Sequence, residues 1–245
     1  MTRWMVLIPD RLKPPADVEQ GVLGAEVEIV LPCTSQASEI PDQLWRRADA
    51  IIAWHEIQIS PEVVAKLERC KAIVRCGVGY DNVNLQAVGE RGIPVCNVPD
   101  YGTNDVADHT MALILMLARG VYAFSEKVRE SNEHWNWNTA GILYRLTWAT
   151  LGIIGLGRIG TAVALRAKAF GMRVVAYDPY IPDCREKALA VERAYELPDL
   201  LRQADIISFH TPLTDKTRHM ADEAFFAQLK PGAIVEHSAW SNHQT

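Results

Sequence analysis

Nowhere in this chain do lysine and arginine gather into a run, and the formal net charge is −5 at pH 7. Phosphate neutralisation needs clustered cations, so nucleic acid is excluded as an expected partner. Cysteine is sparse: Cys33, Cys70, Cys76, Cys96 and Cys184 make five, an odd number with no Cys-x-x-Cys pair. They read as reduced core or surface thiols in a cytoplasmic protein, and no metal is assigned to them. No apolar run reaches membrane length, and Met1 to Ile8 reads as a first strand rather than a leader, so no membrane partner is expected. Sequence repeats and low-complexity segments are absent. What the chain has in quantity is apolar residues, 49% of 245, enough for one large core or two modest ones.

Those apolar residues fall in short runs alternating with helical patterns. Met5 to Ile8, Glu26 to Leu31, Ala50 to Trp54, Ala72 to Cys76 and Pro94 to Val98 read as strands. Pro61 to Arg69 is the clearest intervening helix, with Ser60 as N-cap and Pro61 first. Such alternation predicts an α/β domain over residues 1–97 with a parallel sheet. Asn97 to Thr110 then reads as a crossing followed by an apolar helix from Asp105 to Arg119, either a core helix or one shared with a second subunit. The polar stretch Ser131 to Trp137 reads as a surface excursion.

The most informative stretch is Leu151-Gly152-Ile153-Ile154-Gly155-Leu156-Gly157-Arg158-Ile159-Gly160. An apolar strand enters the glycines, and Ile159, Val163, Ala164, Ala167 and Phe170 then recur at helical spacing. A second strand, Arg173 to Tyr177, follows and ends on Asp178. In such a unit Gly155 makes the tight turn, Gly157 admits a pyrophosphate to the backbone, and Gly160 lets helix and strand pack closely. The helix N-terminus offers unpaired N–H groups to phosphate. Asp178 can accept from both adenosine ribose hydroxyls and would repel a 2′-phosphate. The segment Pro179 to Pro182 supplies no cation, so NAD is expected over NADP.

Two further motifs sit at the carboxyl ends of expected strands, where open α/β sheets place ligands. In Arg75-Cys76-Gly77-Val78-Gly79 the glycines can expose N–H groups as a nest for a carboxylate, with Arg75 as a charged donor; a plain glycine-rich loop is the alternative. His210-Thr211-Pro212-Leu213-Thr214, followed by Thr217, closes the strand Asp205 to Phe209 and can cover an adenine. Leu197 to Ala204 and Phe225 to Leu229 read as helices, and Ala233 to Val235 as a strand.

Taken together, Arg75-x-Gly-Val-Gly-Tyr-Asp-Asn-Val, Asn97-Val-Pro, Ala107-Asp-His-Thr, Gly155-Leu-Gly-Arg-Ile-Gly, Tyr177-Asp-Pro-Tyr, His210-Thr-Pro-Leu-Thr and Lys230-Pro-Gly-Ala-Ile-Val resemble the D-isomer-specific 2-hydroxyacid dehydrogenase family. The nearest likeness is to its C-terminal-binding-protein-like branch. The resemblance implies two Rossmann/flavodoxin-like parallel-sheet domains. These are a substrate domain over 1–97 and an NAD-binding domain over 98–235, incomplete at its C-terminal end, with 236–245 as a residual tail. It implies cofactor contacts from Val78, Thr103, Gly155, Leu156, Gly157, Arg158, Ile159, Gly160, Asp178, Pro179, His210, Thr211, Pro212 and Thr217. Arg75, Val78 and Gly79 would hold the carboxylate of a small 2-oxo or 2-hydroxy acid, and the assembly would be a homodimer.

After Val235 the likeness changes. The family continues Asn-Thr-Ala-Arg-Gly, whose arginine grips the substrate, and later supplies a glutamate and a histidine general acid. Here Glu236-His237-Ser238-Ala239-Trp240 follows. Aligned without a gap, Trp240 falls on the arginine; with an internal deletion, preferred on four consecutive matches, His237 falls on the catalytic histidine. The expectation is an NAD-dependent oxidoreductase of impaired turnover, with a non-catalytic, NAD-sensing protein of corepressor type as the alternative.

Overall fold

The computed structural model describes residues 3–130, 141 and 143–238. The stretch Ser131 to Trp137 and residue Trp240 lie outside them. The chain divides into two compact units, Met1–Gly102 and Thr103–Thr245.

The first unit runs β1 (Trp4–Leu7), α1 (Asp17–Leu23), β2 (Val27–Val30), α2 (Asp42–Arg47), β3 (Ala50–Ala53), α3 (Pro61–Lys66), β4 (Ile73–Arg75), α4 (Leu85–Glu90) and β5 (Val95–Asn97). Its strands are all parallel, in the order β2-β1-β3-β4-β5, which is the flavodoxin-like arrangement. Helices cover the sheet, so Met5, Val6 and Leu7 are buried in succession rather than alternately. Trp45, Ile51, Ile57, Ile59, Leu67 and Ile73 complete the core, each worth about 1.5–3 kcal/mol by burial. At the start of α3 the Ser60 hydroxyl accepts from the Val63 N–H at 3.4 Å, with Pro61 in the first turn. The cap and the proline act as the sequence predicts.

In the second unit follow α5 (Thr103–Ala118), α6 (Val121–Glu130), β6 (Thr150–Ile154), α7 (Arg158–Ala169), β7 (Arg173–Tyr177), α8 (Arg185–Ala188), β8 (Glu192–Arg193), α9 (Leu197–Gln203), β9 (Ile206–Phe209), α10 (Glu223–Phe226) and β10 (Ile234–Glu236). Its parallel sheet has the order β10-β9-β6-β7-β8. Counted from β6 and read from the β8 edge, this is 3-2-1-4-5, the Rossmann order, whose direction of winding switches between β6 and β9. Helix α5 buries Ala107, Thr110, Met111, Ile114 and Ala118 and packs against α7 and β10. Arg166 of α7 ties the two helices by an ion pair to Asp108 at 2.6 Å and a bond to Asn104 at 3.3 Å.

Some helices depart from their expected spans: α3 stops at Lys66 rather than Arg69, the Leu67 N–H bonding back only to the Val64 carbonyl at 3.1 Å, α5 begins at Thr103 rather than Asp105, and α10 is shifted as a whole. The sequence pattern predicts Phe225 to Leu229, whereas α10 covers Glu223–Phe226, because the Asp222 carboxylate caps it by accepting from the Phe225 N–H at 2.8 Å. Beyond Phe226 the Leu229 N–H bonds back only three residues, to the Phe226 carbonyl at 3.1 Å, so the last turn tightens and the helix ends.

Candidate functional site

Strand β6 is buried along its length and delivers the chain into the glycine turn. Gly155 adopts φ +95°, and a Cβ there would lie 2.8 Å from the His210 carbonyl oxygen. Both the turn and the neighbour demand glycine. At Gly160, in the first turn of α7, a Cβ would stand 2.1 Å from the Gly155 carbonyl oxygen, so the helix seats directly on the turn. Gly157 is different. It is the N-cap of the twelve-residue α7, it is exposed, and no atom lies within 4 Å of the position a Cβ would take. Its bareness relieves no internal crowding. It leaves the backbone open to a group from outside, beside the unpaired N–H groups of a helix start. Leu156 is fully buried, Ile159 packs on the core and Arg158 is exposed.

Asp178 closes the turn from the adjacent strand. Its Oδ2 accepts from the Leu156 N–H at 2.9 Å and its Oδ1 from the Tyr180 N–H at 2.9 Å. A carboxylate has about four acceptor positions, so two remain for ribose hydroxyls. These observations fit the adenosine half of a dinucleotide. Pro179 is exposed. The absence of a cation in 179–182 is only part of the local charge: Lys216 Nζ reaches Tyr180 Oη at 3.3 Å, and Arg193 donates to the Asp178 carbonyl at 3.4 Å. Arg193 is engaged by Asp183 at 3.0 Å and Glu186 at 3.9 Å; Lys216 is the more available charge.

The segment after β9 lies against the turn. The His210 N–H donates to the Ile154 carbonyl at 2.8 Å, which fixes His210 and Thr211 beside Gly155. Thr217 is committed to shaping its own loop, its hydroxyl donating to the Pro212 carbonyl at 2.6 Å and accepting from the Thr214 N–H at 2.8 Å. Burial and, secondarily, the neighbouring His237 push the His210 pKa down to about 4, so its ring is neutral at physiological pH. Its Nε2 sits 2.8 Å from Ser208 Oγ, and that hydroxyl donates to Glu236. His237 is exposed and meets Phe209 edge-on at 5.7 Å. Thr103 begins α5.

In the first unit, Arg75 ends β4, and its side chain folds across Gly77: a Cβ on Gly77 would overlap the guanidinium at 1.4 Å. The Gly77 N–H is used by the Arg75 carbonyl at 2.8 Å, so the nest narrows to the Val78 and Gly79 amides. Asn97 holds that loop by donating to the Val78 carbonyl at 2.8 Å. Two buried residues fix the loop after β3. Asn82 donates to the Trp54 and Ile57 carbonyls at 3.0 and 2.9 Å, and Asp10 accepts from the N–H groups of Trp54, Glu56 and Ile57 at 2.8, 2.8 and 3.2 Å. Sequence reasoning missed Asp10, Ser208 and Glu236. Asp10 and Glu236 each carried a signal, an acid just past an apolar run; Ser208 carried none.

A Rossmann-ordered sheet, an unfilled glycine at a helix start and an acid ending the next strand together define a nucleotide-binding α/β protein. The chain belongs to the D-isomer specific 2-hydroxyacid dehydrogenase family, residues 111–239 matching its NAD binding domain. It is 38% identical over 237 residues to a D-3-phosphoglycerate dehydrogenase of Methanocaldococcus jannaschii, covering 96% of this chain and 43% of that one. Over 224 residues it is 35% identical to C-terminal-binding protein 1 of Caenorhabditis elegans, covering 89% and 30%. The chain thus spans less than half the length of these relatives. Its fold matches the crystal structure of an Aquifex aeolicus D-lactate dehydrogenase complexed with NAD and lactic acid, with a TM-score of 0.86, 30% identity, and 96% and 68% of the two chains covered.

Proposed function

We propose that this chain binds NAD in its second unit and belongs to a protein that transfers hydride between that cofactor and a small 2-oxo or 2-hydroxy acid. The observation that carries the reading is Gly157, a helix-start glycine with nothing within 4 Å of its missing side chain, set next to Asp178. The phosphates would lie on the amides from Gly157 to Gly160 in the turn that Gly155 and Leu156 build, the adenosine ribose on Asp178 beside Pro179, and the adenine side on His210, Thr211 and Pro212, with Thr217 shaping that loop. Val78 and Thr103 are further cofactor contacts by family likeness. The first unit is the substrate domain in this reading, with Arg75 and the Val78 and Gly79 amides binding the substrate carboxylate as a charge-assisted donor set.

When bound, the nicotinamide supplies the hydride, and the protein supplies orientation and charge. His237 is the candidate proton donor. The departure from Asn-Thr-Ala-Arg-Gly after Val235 supports a turnover below that of the family's enzymes, since removing one group that stabilises developing charge costs on the order of a hundredfold or more. The similarity to C-terminal-binding protein 1 does not favour a corepressor-type role over this reading.

Cofactor choice tests the site. NADH is expected to bind more tightly than NADPH, and Asp178→Ala to narrow the gap by about tenfold, measured by fluorescence titration; about 1.4 kcal/mol of repulsion and lost hydrogen bonding corresponds to that factor. Equal affinity of the unmodified chain for both cofactors would refute the role of Asp178, and Lys216 would be the cation to examine.

A further inference from the structure

Glu236 stands directly opposite Ser208 in the β10–β9 register, a cross-strand pair on one face of the sheet. His210 follows two residues later, at the mouth of the glycine turn. Glu236 is 2% exposed and Ser208 fully buried. So deep a carboxylate is costly unless a cation pairs with it, and among the described residues no lysine or arginine does. Its Oε1 has no hydrogen-bond partner there. Burial raises its pKa, opposed by the Ser208 and Ser238 hydroxyls and by His109 on α5; Ser238 is itself bonded to Thr110 at 2.8 Å. The acid therefore returns little to the fold.

What it does return is direction. In its ionised form, which the Ser208 and Ser238 hydroxyls and His109 favour, the carboxylate only accepts, so Ser208 gives its single proton to Glu236 and turns a lone pair to His210 Nε2, 2.8 Å away. Nε2 must then carry the ring hydrogen, which leaves Nδ1 an acceptor. We propose that Glu236 is a positioning residue: acting through Ser208, it locks His210 as the Nε2–H tautomer and offers Nδ1 to a hydroxyl or amino N–H of the adenosine half of the bound dinucleotide. The lock stands on the geometry of β9 and β10; the ligand half rests on the dinucleotide reading above.

The tautomer is read in ligand-free, ¹⁵N-labelled chain by long-range ¹H–¹⁵N correlation near neutral pH, with His210 assigned by its loss in His210→Gln. The expected pattern is a protonated Nε2 and a bare Nδ1. Glu236→Gln should preserve it, because the amide oxygen still accepts from Ser208. In Glu236→Leu the serine has no acceptor but the imidazole, so the pattern should reverse and NADH should bind about tenfold more weakly, the loss of one hydrogen bond. Should that variant fail to fold, Ser208→Ala tests the same link and should give a mixture of tautomers. An Nδ1–H tautomer in the unmodified chain, or an unchanged tautomer in Glu236→Leu or Ser208→Ala, would overturn the lock. Reversed tautomer with unchanged NADH affinity would overturn the ligand contact. No NADH binding by the unmodified chain would overturn the dinucleotide reading and that contact together, leaving the tautomer result to stand by itself.

Discussion

Gly157 and Gly160 are the same residue three positions apart, and their surroundings assign them opposite roles. A methyl group at Gly160 would collide with the Gly155 carbonyl at 2.1 Å, whereas one at Gly157 meets nothing. Gly160→Ala should cost about 3 kcal/mol of stability, at the upper end for overpacking against backbone. Gly157→Ala should cost under about 1 kcal/mol, as an N-cap change, yet lower NADH affinity at least about tenfold by obstructing the phosphate approach. Chemical denaturation and NADH titration separate the two effects, and an alanine at Gly157 that binds NADH normally would contradict the account. The glycines and Asp178 were legible in the sequence because the unit they build is contiguous and its spacing is mechanical. Ser208, Glu236 and the bond between them were not, because their meeting depends on the register of two strands 28 positions apart in the chain.

At the scale of elements, the strands of the first unit emerged from apolar runs, and α3 from a serine cap followed by proline. Helices α1, α2 and α4 were less evident, since six or seven residues span too few turns for a hydrophobic period to be read. The displacement of α10 came from a cap at Asp222, three residues before the expected apolar pattern begins at Phe225. Asp10 illustrates what pattern reading misses altogether. It gathers three N–H groups from residues 44 to 47 positions away, fixing the loop after β3 that Asn82 also grips. Asp10→Ala would leave those donors without their acceptor and should destabilise the protein by about 2–4 kcal/mol, with the midpoint of urea unfolding as the measure. A loss below about 0.5 kcal/mol, typical of an exposed site, would show the loop to be held by other means.

For the whole molecule, the apolar helix over 103–118 settles one question and leaves another to measurement. Its inner side is buried against its own unit, as a core helix requires. Leu117 remains 47% exposed, and Val121, Tyr122 and Val128 of α6 are 54%, 63% and 45% exposed. These exposed apolar side chains are the ones that the homodimer implied by the family resemblance would bury on both copies of a closed two-fold assembly. Sedimentation at micromolar concentration should give a dimer that Leu117→Asp converts to monomer; a monomeric unmodified chain would remove the proposal. Among the described residues no helix is long and apolar enough to cross a membrane.

The central claim is that the second unit holds NAD on an open glycine turn. Its most direct test is energy transfer from the tryptophans to NADH as the cofactor is titrated into the unmodified chain and into Gly157→Ala. The expected result is a saturable signal at one cofactor per chain, weakened at least about tenfold in a variant whose unfolding midpoint is almost unchanged. The absence of a saturable signal from the unmodified chain, or an equal signal from both proteins, would contradict it.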